Sequence, residues 1–276
     1  MTTGQRRAGL ISAGGVAQSF LIRLPLLLAG VGPVKAASFR VARRLSNTLR
    51  AGHAVDQYSE LEKCRLIWIA VPDASLDRVA RDMVLQIVMP GKMIVLCGSD
   101  FDSLRPSPLS AAGARIATMN VMYGGSGALI AEGHPAVMRE VRRLAIAEKR
   151  KLIEILPGTK CLFLAAVHLS RRLVLPWIAA ALESFRAAGF SRAEAARAAE
   201  YLGCGALHSY SKAGRKAWSA AASAELRGSL DRDLEKIRET DPPLAALYAS
   251  GIAQALRYFE GDQIESALAT RASRRE

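Results

Sequence analysis

A stretch of small residues near the amino terminus has the composition of a phosphate-binding turn. An apolar segment runs into SAGG, and a helix-compatible pattern follows at once. Such a turn lets backbone N–H groups at a helix N-terminus approach a pyrophosphate. In the register G-x-G-x-x-G/A, Ser12 replaces the first glycine, Gly14 keeps the second, and Ala17 is an accepted third. The predicted dinucleotide contacts are Ser12, Ala13, Gly14, Gly15 and Val16.

Two arginines stand where the ribose of such a dinucleotide would lie. A second strand is predicted over residues 35–39, and Arg40 and Arg43 follow it. NAD-binding domains usually have an acidic residue here to hold the ribose 2′-hydroxyl, whereas guanidinium groups suit a 2′-phosphate. We therefore predict NADP(H) rather than NAD(H). The alternative is that these arginines only decorate a solvated helix.

Two apolar runs predict further strands that end beside the cofactor. Residues 66–71 (LIWIAV) are apolar without alternation, which is typical of a strand buried on both faces. Residues 93–97 form a similar run before Gly98. In doubly wound sheets the cofactor crosses the carboxyl ends of the strands. We predict cofactor contacts from Val71, Pro72, Asp73, Cys97 and Gly98.

Candidates for a proton donor are few. Reduction of a C=N or C=O bond by a nicotinamide needs one donor in addition to geometry. His168 lies one helical turn beyond Leu164, where it is a catalytic candidate or, alternatively, a packed or rim histidine. Asn120 and Tyr123 follow the predicted sixth strand, so we expect them in the substrate pocket, with Asn120 a second catalytic candidate. Lys160 opens a helix and could bind an anion, but we expect it at the surface.

The distribution of charges and cysteines argues against nucleic-acid binding and metal binding. The net charge is +13, but the basic residues are spread out and no aromatic residues interleave them, which argues against a specific nucleic-acid partner. Four cysteines stand far apart without a C-x-x-C pair, so we expect no metal site and a cytoplasmic protein with reduced thiols. The apolar segment at residues 20–31 is interrupted by Arg23 and Pro25 and is shorter than the ~20 residues of a membrane span, so no membrane partner is expected.

Strands and helices alternate in the first half of the chain, which predicts an α/β fold of the Rossmann type, a doubly wound sheet. The strands are predicted at residues 7–12, 35–39, 54–55, 66–71, 93–97 and 115–119, with helices at 15–29, 43–51 and 75–88. Residues 129–131 and 152–156 add two strands around a basic helix at 135–150. Pro25 should kink or end the first helix.

The second half of the chain is predicted to be all helical. Alanine-rich segments with helical periodicity follow Pro157, so we divide the chain into residues 1–156 and 157–276. One helix covers residues 159–188 with a kink at Pro176, and another begins at a capping box at Ser191 and runs to about residue 202. A third is capped by Asp241, and a last short one follows Asp262. The apolar stripes at residues 173–182 and 244–256 have more apolar surface than one layer of helices on a sheet can bury. We therefore predict a homodimer that forms through these helices.

The order of these landmarks resembles a family of Rossmann-like NAD(P)-binding oxidoreductases with a helical C-terminal domain. Its relatives are pyrroline carboxylate reductase, the coenzyme-F420-linked NADP reductases and the phosphogluconate dehydrogenase superfamily. The similarity covers nearly the whole chain and is carried by VPD at 71–73, CGS at 97–99, LRGSLDRD at 226–233 and DPPLAALY at 241–248. The third piece is similar to the family's L-T-G-P-I-x-R-G-D loop, and the fourth to its D-P-x-L-x-x-L-Y helix.

The resemblance implies roles for a few more residues and also shows departures. Arg232 and Asp233 keep the family's loop pair and could complete the substrate site of a neighbouring subunit, unless they form a simple ion pair. The family's His-Pro after the sixth strand is Asn120-Val121 here, and its Tyr-His-Ala-Ala is FLAA at residues 163–166. We expect an NADP(H)-dependent oxidoreductase that reduces a small imine or carbonyl compound in the cleft between the domains. The alternative is a non-catalytic nucleotide-binding sensor or subunit.

Overall fold

An eight-stranded sheet organises the first part of the chain. The computed structural model describes residues 8–13, 20–105, 107–122 and 127–272, without the side chains of residues 220, 221, 230, 231 and 262–272. The strands lie in the order β3-β2-β1-β4-β5-β6-β7-β8 and are parallel except that β7 runs antiparallel to β6. They are β1 (Ala8–Ser12), β2 (Val31–Lys35), β3 (His53–Ala54), β4 (Leu66–Ala70), β5 (Met93–Cys97), β6 (Arg115–Val121), β7 (Leu129–Gly133) and β8 (Leu152–Glu154).

The sheet is buried on both faces because its strands are apolar at successive positions. Leu10 and Val95 pack on one face, and their neighbours Ile11 and Ile94 pack on the other. Successive side chains of a strand point to opposite faces, so a strand without alternation needs a cover on each side. The connecting helices of this part are α1 (Pro25–Ala29), α2 (Phe39–Leu49), α3 (Asp73–Gln86), α4 (Pro108–Ala111) and α5 (Pro135–Ala147).

The order β3-β2-β1-β4 contains the switch point of a Rossmann sheet. β1 pairs in parallel with β2 on one side and with β4 on the other, so the chain turns in opposite directions from β1. A crevice forms at such a point outside the carboxyl ends of the strands. The predicted fold class, an α/β doubly wound sheet followed by an all-α part, is confirmed.

The predicted position of the second strand is wrong. It was expected at residues 35–39, but β2 ends at Lys35 and α2 begins at Phe39. The Oγ of Ser38 accepts a hydrogen bond from the backbone N–H of Val41 at 3.3 Å, and this N-cap starts the helix four residues earlier than expected. Pro25 begins α1 rather than lying inside a longer helix.

The described residues from Lys160 onward are helical and contain no strand. The chain separates into two compact units, residues 1–169 and 170–276. The helices are α6 (Lys160–Arg171), α7 (Leu175–Ala187), α8 (Arg192–Ala213), α9 (Ala220–Thr240) and α10 (Pro242–Ala272). The expected helix at 159–188 is broken just before Pro176, which lies in the first turn of α7.

The helix caps of this part were predicted better than the helix ends. Ser191 and Glu194 form the predicted capping box, and Asp241 accepts a hydrogen bond from the backbone N–H of Leu244 at 2.9 Å. However, α8 continues to Ala213, and α10 passes Asp262 without a break, so the separate last helix is wrong.

The segment from Lys160 to Ala187 is long and apolar enough to cross a membrane by composition. Its most apolar window has a mean hydropathy of 1.4, and none of that window is buried within the described chain. A helix that packs on another protein passes the same test, so this finding alone is weak support for a membrane span.

Candidate functional site

Four buried polar atoms without a hydrogen-bond partner occur in the described part of the chain. They are Ser12 Oγ, Asp73 Oδ1, Asn120 Oδ1 and Lys160 Nζ. Ser12 ends β1, Asp73 begins α3 directly after β4, and Asn120 is the last but one residue of β6. These three positions lie at the carboxyl edge of the parallel strands. Because buried polar groups are normally paired, unsatisfied ones at one edge indicate a place where a polar ligand binds.

Ala13, directly after β1, is fixed against the end of β4. The backbone N–H of Ala13 donates to the carbonyl oxygen of Ala70 at 3.2 Å, and Asp73 Oδ2 accepts from the backbone N–H of Asp100 at 2.9 Å. The predicted contacts Ser12, Val71, Pro72 and Asp73 therefore lie beside one another. The predicted contacts Gly14, Gly15 and Val16 lie outside the described residues.

The beginning of α2 has the features of a phosphate site. Its first turn contains no acidic residue, and the Arg40 and Arg43 side chains are exposed near its N-terminal end. A helix N-terminus favours negative charge, and a guanidinium group adds donors that match phosphate oxygens. Lys35 at the end of β2 is buried, and its Nζ donates to the carbonyl oxygen of Ala36 at 2.5 Å.

At the end of β5 the backbone, rather than a reactive side chain, lies at the carboxyl edge of the sheet. The Cys97 thiol is buried, and burial raises its pKa well above the usual range, so it stays protonated. Gly98 has φ +70°, which a residue with a side chain adopts with strain, and its N–H donates to the Met119 carbonyl oxygen at 2.8 Å. This glycine allows the chain to turn away directly after β5.

Lys160 is the largest departure from the sequence-based expectations. We expected a surface lysine, but its side chain is only 2 % exposed and its Nζ has no hydrogen-bond partner. Burial lowers the pKa of Lys160 to about 8, although the charges of Glu132, Asp73 and Asp100 raise it. These carboxylates belong to β7, the start of α3 and the loop after β5. The amine therefore lies near the same sheet edge as the other unpartnered atoms.

Glu132 is a second buried ionisable group that sequence reasoning missed. Its carboxylate is 1 % exposed and accepts three hydrogen bonds, from the backbone N–H of Ser103 at 2.7 Å, from the Ser103 hydroxyl at 2.5 Å and from the Thr118 hydroxyl at 2.9 Å. These bonds tie the loop after β5 to β6 and β7. They also hold a negative charge near Lys160.

The remaining predicted site residues are dispersed. Asn120 lies within β6, and its Nδ2 donates to the Ser99 carbonyl oxygen at 3.3 Å, which leaves its Oδ1 without a partner. His168 is exposed on α6, two turns after Lys160. Tyr123 lies outside the described residues.

The expected loop containing Arg232 and Asp233 is a helix. Both residues lie within α9, where Arg232 Nη2 is 4.0 Å from Asp233 Oδ2 and Ser229 Oγ donates to the same carboxylate at 2.9 Å. The family pattern has a proline in this segment, whereas LRGSLDRD has none, so nothing interrupts the helical hydrogen bonds.

A signal for Lys160 was present in the sequence but was not used. The residues after it read CLFLAAVHL, and no acidic residue lies within four positions on either side. The segment around Lys160 is therefore apolar and offers no carboxylate one helical turn away that would pair with the ammonium group at the surface. The position of Glu132 at the end of an apolar strand is a comparable signal.

Comparison with known proteins gives matches in structure alone. No protein-family model matches the chain, and no curated protein matches it. An imine reductase from Myxococcus stipitatus, solved in complex with NADP⁺, is 17 % identical with a TM-score of 0.64 over 91 % of this chain and 94 % of that chain. A variant of it in complex with NAD⁺ has a TM-score of 0.65 at 17 % identity over 92 % of this chain and 94 % of that chain.

A third solved structure agrees with these two. The imine reductase from Streptomyces aurantiacus is 16 % identical with a TM-score of 0.63, over 92 % of this chain and 95 % of that chain. The chain has the fold of the imine reductases. The imine reductase fold therefore accounts for both the sheet and the helices after it.

The described residues at the carboxyl edge of the sheet do not form a metal site. In the ranges that the structure describes, no group of three or more His, Cys, Asp or Glu side chains is arranged to hold a metal ion. The polar groups at this edge are the amine of Lys160, the carboxylate of Asp73, the side-chain amide of Asn120 and backbone N–H groups.

Proposed function

We propose that this protein is an NADP(H)-dependent reductase of a small imine or carbonyl compound. The observation that carries the proposal is the group of unpartnered buried polar atoms at the carboxyl edge of a Rossmann sheet. A polar ligand at that edge would satisfy atoms that otherwise cost free energy. Two solved structures of the same fold are complexes with NADP⁺ and NAD⁺.

The residues at the edge fit the parts of such a cofactor. Ser12 and Ala13 would face the pyrophosphate, the start of α2 with Arg40 and Arg43 would hold the 2′-phosphate, and Asp73 and Gly98 would border the nicotinamide half. When bound, the nicotinamide supplies the hydride. The chain itself supplies orientation, exclusion of water and a proton.

Cofactor preference tests the role of α2. We expect NADPH to raise the melting temperature more than NADH does, because only NADPH has a 2′-phosphate for Arg40 and the helix N-terminus. Replacing Arg40→Gln should weaken NADPH binding by about tenfold, equivalent to a charge-assisted hydrogen bond of about 1.4 kcal/mol, and leave NADH binding unchanged. Titration calorimetry with both cofactors measures this difference.

The matched control is Arg50→Gln. Arg50 is also exposed on this element but caps the C-terminal end of α2, so its loss should not change the affinity for either cofactor. Equal affinities for NADPH and NADH in the unmodified protein would contradict the role of the arginines.

A second candidate function is nucleotide binding without turnover. The absence of the family's Tyr-His pair from residues 163–164 favours it. It predicts tight NADPH binding without NADPH oxidation in the presence of any carbonyl or imine probe. The buried amine of Lys160 favours a reductase instead, since a binding module has no use for an unpaired internal proton donor.

We also propose that a second copy of the chain covers the apolar face at the start of α7. Large apolar side chains are exposed there. Water contact with such a surface is unfavourable, and pairing with an identical surface removes it. The exposed side chains are Leu173, Leu175, Trp177 and Ile178.

Sedimentation tests this homodimer. We expect the unmodified chain to sediment as a dimer, and the double variant Leu173→Glu with Ile178→Glu to sediment as a monomer because two charges would be buried in the interface. Leu85→Glu is the matched control, because Leu85 is exposed on α3 outside the proposed interface. A monomeric unmodified chain, or a chain that floats with phosphatidylcholine vesicles, would contradict the proposal.

A further inference from the structure

The compact unit of residues 1–169 has a cleft that the proposed function does not use. The cleft has a volume of about 370 Å³, is open to solvent, and lies where β6 begins, β7 ends and α5 begins. Arg115 is the first residue of β6, whereas Asn120 marks the carboxyl edge five residues later, so about 16 Å of strand separates the two. The cleft is therefore distinct from the candidate cofactor site.

The walls of the cleft are mainly apolar. Its apolar lining residues are Leu104, Ala114, Ile116, Pro135 and Pro157. The polar ones are Ser103, Ser110, Arg115 and His134, beside Gly133. None of these described lining residues is acidic. Sites for small organic ligands typically have this composition, in which apolar walls supply contact area and a few polar groups fix the orientation.

Arg115 is the single Lys or Arg side chain among the described residues of the lining. Its side chain is exposed and, within the part of the chain that the structure describes, has no hydrogen bond and no ion pair. Other arginines of this unit are engaged, since Arg105 binds Asp77 and Arg142 binds Glu154. The planar guanidinium group of Arg115 therefore keeps its N–H donors available, and two parallel donors match the two oxygens of a carboxylate.

His134 supplies a second donor to the cleft. Its Nδ1 accepts a hydrogen bond from the backbone N–H of Ala136 at 3.1 Å, so the neutral imidazole carries its hydrogen on Nε2. Its carbonyl oxygen accepts from the backbone N–H groups of Val137 and Met138 at 2.9 and 3.0 Å. The first N–H groups of α5 are thus already satisfied, and the donor left at this end of the helix is the Nε2–H of His134.

The two serine hydroxyls of the cleft are used within the protein. Ser103 Oγ donates to Glu132 Oε2 at 2.5 Å, and Ser110 Oγ donates to the Ser107 carbonyl oxygen at 2.9 Å. Glu132 is only 1 % exposed and its carboxylate accepts three hydrogen bonds, so it does not pair with Arg115 across the cleft. The side-chain donors that remain for a ligand are therefore the guanidinium group and the imidazole N–H.

We propose that this cleft is a second ligand site and that it binds a small organic acid. The carboxylate of the acid lies on Arg115 and His134, and its apolar body packs against Leu104, Ile116 and Pro157. A phosphate dianion fits less well, because one guanidinium group and apolar walls do not replace its hydration. The proposal goes beyond the proposed function and does not depend on it, because the site is separate from the cofactor edge.

Proton NMR of the histidine rings locates the site in the full chain without cofactor. The chain has four histidines, and His134→Asn identifies the His134 signal by its loss while keeping a side chain that can cap α5. Benzoate is the probe, and we expect it to shift the His134 signal with a dissociation constant of about 1 mM. Benzamide, which has the same shape without the charge, should not shift that signal at the same concentrations.

Two variants test the charge and the shape of the cleft. Arg115→Gln should weaken benzoate binding by about tenfold, because it removes the charge-assisted pair of hydrogen bonds. Arg139→Gln is the matched control, since Arg139 is exposed on α5 outside the cleft and its loss should leave the affinity unchanged. Leu104→Glu places a carboxylate in the cleft wall and should abolish benzoate binding, whereas Leu85→Glu, exposed on α3, should not.

Each result bears on a different part of the proposal. Benzoate that leaves the His134 signal in place, or that binds Arg115→Gln as tightly as the unmodified chain, overturns the site. Equal affinities for benzoate and benzamide overturn the role of the carboxylate. Tighter binding of inorganic phosphate than of benzoate overturns the ligand class. These titrations contain no NADPH, so a failure to bind NADPH overturns the proposed function and leaves this site standing.

Discussion

Replacing Lys160 with methionine is expected to stabilise the protein at neutral pH. The pKa of Lys160 is lowered from 10.5 to about 8 in the folded chain, so keeping the amine charged there costs about 3 kcal/mol at about 1.4 kcal/mol per pKa unit. Methionine fills a similar volume without that cost. The melting temperature should rise by about 6–10 °C at pH 7.

The sign of the pH dependence is specific. Between pH 8 and 10.5 the unfolded chain binds the proton of Lys160 more strongly than the folded chain, so the stability of the unmodified protein rises with pH through this window relative to the variant. The advantage of Lys160→Met should be complete below pH 8 and should disappear by pH 10.5. Urea unfolding of both proteins across this range measures it, and a constant difference would contradict the buried charged amine.

A stability gain on loss of this side chain has a functional meaning. Groups kept at a cost to the fold are characteristic of sites that bind or react. Lys151→Met, at an exposed position, should leave the stability unchanged.

Replacing Gly133 with alanine is expected to destabilise the sheet strongly. Gly133 ends β7 with φ +139°, and an added Cβ would overlap the Ala117 Cα and lie 2.6 Å from the Ile116 carbonyl oxygen. These are backbone atoms of β6 that cannot move without breaking the pairing. We expect a loss of about 4 kcal/mol in unfolding free energy, measured by urea unfolding.

Gly91→Ala separates backbone strain from crowding. Gly91 also has a positive φ, +82°, but no atom lies within 4 Å of an added Cβ. Its substitution should cost only the conformational strain, about 1 kcal/mol. Equal losses for the two variants would show that the close approach of β7 to β6 is not the cause. Because Gly133 follows Glu132, the first variant should also disturb the loop that Glu132 holds.

The sequence correctly predicted those strands and helix caps that depend on a few neighbouring residues. The apolar runs at β4 and β5 were placed within one residue, because a strand buried on both faces needs no partner to be recognised. Ser191 with Glu194 and Asp241 were recognised because an N-cap acts within three residues. The second strand was misplaced because Ser38 was not recognised as the cap of α2.

The sequence predicted only those residues of the candidate site that directly follow a recognisable strand. Ser12, Asp73 and Gly98 lie at the sheet edge as expected, because the carboxyl ends of parallel strands meet at one edge. Lys160 and Glu132 were missed because each lies far along the chain from the groups that surround it in the fold. A sequence pattern has no means of joining them.

The amino-acid sequence by itself determined the alternation of buried strands and helices, the position of the arginines after β2 and the change to helices after Pro157. These follow from hydrophobicity and backbone preference over a few neighbouring residues. Only the tertiary structure decided that a lysine at the start of α6 would be buried beside the ends of β5 and β7 without a partner. Its proton affinity depends on burial and on the charges of carboxylates that lie far away along the chain, and both effects exist only once the chain has folded.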